Sequence, residues 1–529
     1  MTRRARGATV AKGRTRRAGK TKTGEVRIYP NDPESTVGVV PATPLPRSPG
    51  DPAFVIEGRR YAPAPYEPGT LAFQYWQGEV ALGRAIRVWE DLFERDFGAW
   101  QNRKPLRVKL RAGKDLNAFY DRKSLQFFFD QNLVTKRTVY TAESLDIVTH
   151  EAGHAILDVY QPGYWSTIDL ETAAFHEAFG DCTALLVTLT DPAVCRAFLD
   201  ETKGAARKSN LVSRLAEALG RAIHDNYGTG AVSDPSRLRD ANNTFRHAPP
   251  DTLLPNVPDE ELSGEPHSFS RVFTGAFYDL LIWLLAREAK QERGVEGLER
   301  ARKLAGRLLA RAVETLPPGD ARFGAVALRM REIDQTEEGG VASIGLEEAF
   351  AFHGMPLPSL AARRRGGRRP GRRTGTRPAV PSTHALRALD PDRPGGAAAL
   401  RAVLGVHGRA RLERTTLPGR IGRGEREQFI HRDWVRVPSP SLGRRGGVWV
   451  RVICGCTLTR APSGDVDGAT VMPHPHPTPR DLARQLRCWI AFDAIDTGRE
   501  PLRTSRQHFR ERKPFRVTKD GVLERVYFE

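Results

Sequence analysis

Two short stretches carry most of the residue types able to do chemistry. The first, His150-Glu151-Ala152-Gly153-His154, sets two histidines four residues apart. On a helix that spacing projects both imidazoles from one face, one turn apart, where they can share a metal ion. Glu151 follows the first histidine and lies beside the ion, where a carboxylate can take a proton from water. Alone, the pentapeptide also fits an ordinary surface helix. The second stretch, Glu171 to Cys182, shifts the balance. A catalytic zinc site takes three protein ligands and keeps one position open. Glu177 can be the third ligand, with His176 as its competitor. Asp181, one turn later, can accept a hydrogen bond from the first histidine and fix its tautomer.

These residues need rigid supports, and the pattern supplies them. Leu145, Ile147, Val148, Ala152, Ala155, Ile156 and Val159 give the His150 segment a wide apolar surface, and Pro162-Gly163 ends it. Upstream, Leu82, Ile86, Trp89, Leu92 and Phe93 predict a helix. Leu106 to Leu110 and Leu125 to Phe129 predict strands. The run after Glu177 continues as core to Leu189, and Asp191-Pro192 breaks it. Helices are predicted over 211–223, 271–285, 297–315 and 321–333. His267 is the third chemical landmark, and the 271–285 helix that follows it is apolar on most faces, hence buried.

The pair His150-Glu-Ala-Gly-His154 and Glu177-Ala-Phe-Gly-Asp181 resembles the thermolysin family of zinc metallopeptidases, with His176 in place of that family's Asn. A metzincin would need a third histidine, but Leu157 and Tyr160 occupy its signature places. The aminopeptidase Gly-x-Met-Glu-Asn stretch is absent. The resemblance covers roughly residues 70–355. It implies an α+β zincin fold, with a small β-containing N-lobe and a mainly α-helical C-lobe. It also implies His150, His154 and Glu177 as metal ligands, Glu151 as general base, and Asp181 behind His150. Asn117 and Ala118, in Asn-Ala-Phe-Tyr, match the edge strand on which the family lays its peptide. Arg239, with Arg237 as competitor, matches the arginine that binds a substrate carbonyl. His267 matches an oxyanion-stabilising histidine; its acidic partner could be Asp259, Glu260, Glu261 or Glu265. Tyr164 is the nearest phenol for the same task, with packing as the equal alternative. Ile147 and Leu238 match an apolar pocket, which implies cleavage before a hydrophobic residue. Asp146 is kept from the family's paired calcium site, but Thr188 stands where a Glu is expected and Asp191 is the one acid in 185–196. Zinc is therefore the expected cofactor, and calcium is not.

Charge and composition bound the rest. The chain has 529 residues, a net charge of +19 and 40% hydrophobic residues, enough for sizeable cores. Arg3 to Lys22 holds nine basic residues and no acid, and 363–373 is nearly all Arg, Gly and Pro. Both are expected to be disordered. The predicted organisation is a basic Pro/Gly-rich tail over 1–66 with a short strand at 53–56, a metallopeptidase domain over 67–358, an Arg-rich linker over 359–381, and a separate α+β region over 382–529. In that last region 448–456 and 487–492 read as strands, and 515–528 as a hairpin turning at Asp520-Gly521. Cys454 and Cys456 share a strand face and, with His474, His476 and Cys488, could make a second zinc site; buried strand cysteines are the plain alternative.

Five cysteines make no disulfide framework, and neither a secretory signal nor a membrane span is readable, so a cytoplasmic protein is expected. The function implied is a zinc-dependent endopeptidase acting on peptide or protein substrates. The rival is a basic protein that binds nucleic acid or another anionic surface through its Arg-rich stretches while carrying a protease-like fold. Nothing in the chain specifies an oligomeric state.

Overall fold

The computed structural model describes residues 24–46, 51–228, 234–254, 257–288, 294–319, 321–358, 386–417, 425–439, 441–442, 446–472, 478–496 and 513–525. The fold is mixed α+β. Strands β1 (Val26–Ile28) and β2 (Val40–Ala42) form a hairpin, and β3 (Phe54–Ile56) joins a four-stranded sheet. Helix α1 (Leu71–Phe93) starts where the Thr70 hydroxyl accepts from Phe73 N, and it ends at Glu94 in the left-handed region. The sheet is completed by β4 (Leu106–Lys109), β5 (Ala118–Tyr120) and β6 (Ser124–Phe127), in the order β3-β4-β6-β5, so β5 is an edge. A second hairpin pairs β7 (Phe129–Gln131) with β8 (Thr138–Tyr140).

Two buried helices follow. α2 (Leu145–Tyr160) is capped by Ser144, and α3 (Leu170–Thr188) by Asp169, whose side chain accepts from Thr172 N. They pack unusually close because both carry glycine at the crossing. A Cβ on Gly153 would meet the Thr183 hydroxyl at 2.7 Å, and one on Gly180 would meet the His150 ring at 2.7 Å. After α4 (Pro192–Thr202) comes a short β9 (Arg214–Leu215), then α5 (Glu217–Tyr227) and β10 (Arg239–Asp240), which pairs with β9. The helical lobe closes with α6 (Pro266–Glu288), α7 (Val295–Thr315), α8 (Phe323–Glu337) and α9 (Ser343–Phe352). By length and composition α6 could cross a membrane, but 83% of its apolar window is buried inside the protein. Its apolarity is that of a core helix.

The remainder is built on a seven-stranded sheet. Helix α10 (Gly396–Leu404) precedes β11 (Glu413–Leu417), the long hairpin of β12 (Arg426–Pro438) and β13 (Gly447–Arg460), and β14 (Val466–Met472). Helix α11 (Pro479–Ala491) and strands β15 (Ile495–Asp496), β16 (Phe515–Val517) and β17 (Val522–Arg525) complete it. β16 and β17 pair antiparallel around Asp520-Gly521.

Four expectations need correction. The tail does not extend to residue 66, because Val26 and Ile28 are fully buried, Asn31 donates to Leu211 O (2.7 Å), and Ala218 N donates to Asp32 (2.8 Å). Three-residue strands among prolines leave no readable period. Residues 1–23 and the linker at 359–381 lie outside the described residues. Next, 211–223 is not one helix. The Asn210 side chain accepts from Val212 N and Ser213 N, and Ala216 has φ 52°, so the helix starts only at Glu217. Third, 487–492 is helix rather than strand. Its apolar face, Leu482, Leu486 and Trp489, began before the window, and Thr478 with Asp481 forms a capping box.

The last correction concerns the C-terminal region, which is not separate. Ile168, Leu170 and Ala173 share one core with Val448, Val450, Val452, Leu482, Leu486 and Trp489. Glu314, fully buried on α7, meets Arg95 (3.3 Å), Arg311 and Arg426 (2.6 Å). Gln428 donates to Gln161, and the Thr457 hydroxyl to Leu316 O. Such cross-region burial of paired charge leaves no trace in hydrophobic periodicity.

Candidate metal centre

Because α2 and α3 approach so closely, Glu177 reaches both histidines of α2. Its Oε2 lies 3.4 Å from His150 Nε2, and its Oε1 lies 3.7 Å from His154 Nε2. Two ligand atoms at zinc bond lengths and a tetrahedral angle are about 3.3–3.5 Å apart. The three donors therefore stand near one coordination polyhedron. Glu177 is 1% exposed, yet neither of its oxygens has a hydrogen-bond donor among the described residues. A buried carboxylate oxygen without a donor calls for an explanation, and an ion is one of those available. His150, Glu151 and His154 also present donor atoms within 4.8 Å of one another. Glu151 comes from α2 like the two histidines, whereas Glu177 approaches them from α3.

The far side of each imidazole is held. His150 Nδ1 lies 3.1 Å from Asp181 Oδ1, which also accepts from Arg239 (2.8 Å), while Asp181 Oδ2 accepts from the Thr274 hydroxyl (3.1 Å). Burial would raise the Asp181 pKa, but Arg239 and His150 hold it below the usual range. His154 Nδ1 lies 2.9 Å from His176 Nδ1. His176 thus meets His154 at the ring nitrogen away from Glu177. Burial pushes its pKa well below the ordinary value, which keeps it neutral and able to accept or donate at that contact. The spacing of His176 and Glu177 carried this signal, since adjacent residues on a helix point about 100° apart and cannot both face the ion.

Glu151 is buried on the cavity wall, and desolvation raises its pKa to about 7. His267, at the start of α6, has Nε2 3.4 Å from Glu177 Oε2 and Nδ1 2.7 Å from Glu265 Oε1. Burial would lower its pKa, but the Glu177 and Glu265 carboxylates raise it to about 10. Glu265 is the acidic partner left open among four acids; Asp259 instead accepts from Arg271.

No family model matches the chain, and no curated protein matches it.

Asn117, Ala118, Arg239 and His267 line the same cavity of about 100 Å³ as the candidate ligands, together with Ile147, Leu219 and Leu238. Asn117 Oδ1 accepts from Ala118 N (2.7 Å), which fixes the entry to edge strand β5. Arg239 is the arginine turned to the site, whereas Arg237 pairs with Asp234 and Asp240. Tyr164 corrects an expectation. It is fully buried, its hydroxyl is 3.5 Å from Pro317 O, and it packs edge-on to Phe175, away from the cavity lining. The second metal cluster is not assembled by the described cysteines. Cys456 belongs to the core around Leu400 and Leu458, while Cys488 borders a different core and lies 3.8 Å from Asp251 O. Burial raises the Cys454 and Cys456 thiols to about 12, and His474 and His476 lie outside the described residues.

One contribution escaped sequence reasoning altogether. Helix α11 grips the start of α3, where Leu170 N donates to Gln485, Gln485 donates to Asp169, and Trp489 donates to Ile168 O, each at 2.8 Å. It also holds the loop before His267 through Arg484 and Asp251 (2.8 Å). Glu177 and His267 thus share one external support.

Proposed function

We propose that the chain is a zinc-dependent endopeptidase of thermolysin-like design. The observation that carries this reading is the convergence of His150, His154 and Glu177 at tetrahedral-edge distances, with Glu151 alongside and His267 the further cation near Glu177. Zinc held there would supply Lewis acidity toward the scissile carbonyl and toward water. Glu151, its pKa raised to about 7, takes a proton from water and later gives it to the leaving amine. His267, kept cationic by Glu177 and Glu265, stabilises negative charge growing on the carbonyl oxygen. Edge strand β5 offers main-chain hydrogen bonds to an extended peptide beside Asn117 and Ala118. Arg239, tied to Asp181 by one nitrogen, lines the cavity where a substrate carbonyl would lie. Ile147, Ala184, Leu215, Leu219 and Leu238 make one wall apolar, which supports a preference for a hydrophobic residue after the cleaved bond.

The decisive experiment pairs metal analysis with peptide cleavage on the parent and on Glu151→Gln. The parent should carry one zinc per chain and hydrolyse peptides. The variant should keep the zinc and lose hydrolysis, because the base is gone and the ligands remain. Parent-like cleavage by the variant would refute the mechanism, and a parent without stoichiometric zinc would refute the site.

A further inference from the structure

The long hairpin β12–β13 has two unlike faces. Val437, Val448, Val450 and Val452 turn toward α11 and are buried there with Leu482 and Leu486. The alternate positions face the other way. On β12 these are Arg432, Trp434 and Arg436, and on β13 they are Trp449 and Arg451. Register pairs Trp434 with Arg451 and Arg436 with Trp449, so the two indoles lie on a diagonal with an arginine beside each. Of the eight tryptophans in the chain, Trp434 and Trp449 are the two that are exposed, at 43% and 42%. The Arg451 guanidinium sits 5.5 Å from the Trp434 ring centroid.

Two exposed indoles side by side on one sheet face, in a protein whose other tryptophans are wholly or largely buried, are a mark of a partner. The charge pattern narrows the partner's chemistry. No acid occupies an outward position of β12 from 432 to 438 or of β13 from 447 to 451. Asp433, the one acid in that part of the hairpin, is at an alternate position opposite Val452. Arg432 reaches Glu413 at the edge of the sheet, and farther along Arg516 and Glu524 neutralise each other. Diagonal cross-strand neighbours lie about 7–8 Å apart, far enough for two planar rings to stack separately, one on each indole. Guanidinium groups between them suit phosphate, which they can meet with two parallel hydrogen bonds. The net charge of +19 adds long-range attraction to a polyanion.

We propose that this face binds single-stranded nucleic acid, with successive bases stacked on Trp434 and Trp449 and a phosphate on Arg451. A duplex hides the flat faces of its bases, and an acidic peptide or a lipid surface has no planar rings to match two spaced indoles. The site lies on the C-terminal sheet and is independent of the peptidase reading.

The test is fluorescence anisotropy of full-length protein with a 15-nucleotide oligothymidylate, an abasic deoxyribose-phosphate oligomer of equal length, and heparin oligosaccharide. Oligothymidylate should bind far more tightly than the abasic oligomer. Trp434→Ala and Trp449→Ala should each weaken it by about 5- to 150-fold, the scale of losing one stacked base. Trp434→Phe and Trp449→Phe should retain most of the affinity, because a ring remains. Arg451→Gln should lower the salt slope by about one. Equal binding of oligothymidylate and abasic oligomer, or of the parent and both alanine variants, would overturn the proposal. So would heparin binding that depends on the indoles as strongly, since that would mark a sugar face. Unchanged thermal midpoints and unchanged peptide cleavage in these surface variants separate loss of the site from loss of the fold.

Discussion

Helix α2 sits between two buried groups of carboxylates, and they titrate in opposite directions. Toward the His150 side, Glu177 and Asp181, which contact the cations directly, are held below their ordinary values, while Glu151 beside them is raised to about 7 by burial. At its N-terminal end, Asp32 is pushed up to about 6, Glu217 to about 7, and Asp146 well upward. Burial is nearly complete in both places, so burial cannot be the difference. The first group faces His150, His154, His267 and Arg239. The second faces mostly itself, with Arg214 on Glu217 as the one cation and neutral donors from Thr188, Ala216, Ala218 and Glu34. Desolvation raises a buried carboxylate unless a positive charge answers it. A buried acid kept ionised is therefore the informative one, and it points to the end of α2 where chemistry is expected.

The comparison is sharpened most by removing a charge from the first group. His267→Ala should lower turnover by about 100-fold or more, the usual scale for losing one oxyanion donor. Zinc content should be unchanged, because His267 touches Glu177 from outside the ligand set. Turnover at the parent rate would mean that the Glu177–His267 contact is structural.

Smaller effects are expected from the supports behind the ligands. His176→Ala and Asp181→Asn should each weaken zinc affinity by about 10- to 100-fold in a chelator competition. Loss of His176 frees the His154 ring, and Asp181→Asn removes the charge that draws a proton to His150 Nδ1. If His176→Ala leaves zinc affinity unchanged, the contact between the two Nδ1 atoms does not orient the ligand.

The contrast also separates what was legible from what was not. Both site helices were readable, since Ser144 and Asp169 cap them and their apolar runs are long. The i, i+4 histidines could be paired on one face before any fold was known. The choice of Glu265 over Asp259, Glu260 and Glu261 could not be read, because it depends on how a loop turns. Asp32 was assigned to a tail, although it meets Ala218 across 186 positions of sequence. α11 was taken for a strand because a six-residue window caught Cys488, Ile490 and Phe492 and missed Leu482 and Leu486. Local pattern reaches one turn or one strand; contacts between distant short segments lie beyond it.

The second group predicts a pH effect of a few degrees. Asp32 has an ordinary pKa of 3.8 and a folded value of about 6. The folded state therefore binds that proton more tightly than the unfolded state. Its penalty is absent below about pH 4, grows as pH rises, and is complete above pH 6. Ser144, Glu34, Asp146 and Glu217 all face it, and the acids push in the same direction. Asp32→Asn keeps an oxygen for Ala218 N and Glu34 N but carries no charge. Its thermal midpoint should exceed the parent's by more at pH 8 than at pH 5. Equal differences at the two pH values would show that Asp32 is not the titrating group.

The smallest expected effect is that of calcium. Three acids, Asp32, Asp146 and Glu217, meet at this end of α2, and two of them come from outside the stretch where the sequence directed attention. Four of their six oxygens accept hydrogen bonds, while Asp32 Oδ2 and Glu217 Oε2 have no donor among the described residues. Asp146 accepts from the Thr188 hydroxyl at 3.0 Å and from Ala216 N at 3.5 Å, and Asp32 accepts from two backbone amides. Asp191, the remaining acid nearby, is turned to cap α4 and pairs with Arg84 at 3.0 Å. Calcium needs six to eight oxygens with several carboxylates ionised together, and raised pKa values oppose that at neutral pH. Thermal unfolding of zinc-saturated protein should give the same midpoint with millimolar calcium and with a calcium-selective chelator. A clearly higher midpoint with calcium, lost again in Asp32→Asn, would show instead that the second group is a cation site and that its raised pKa values describe only the ion-free state.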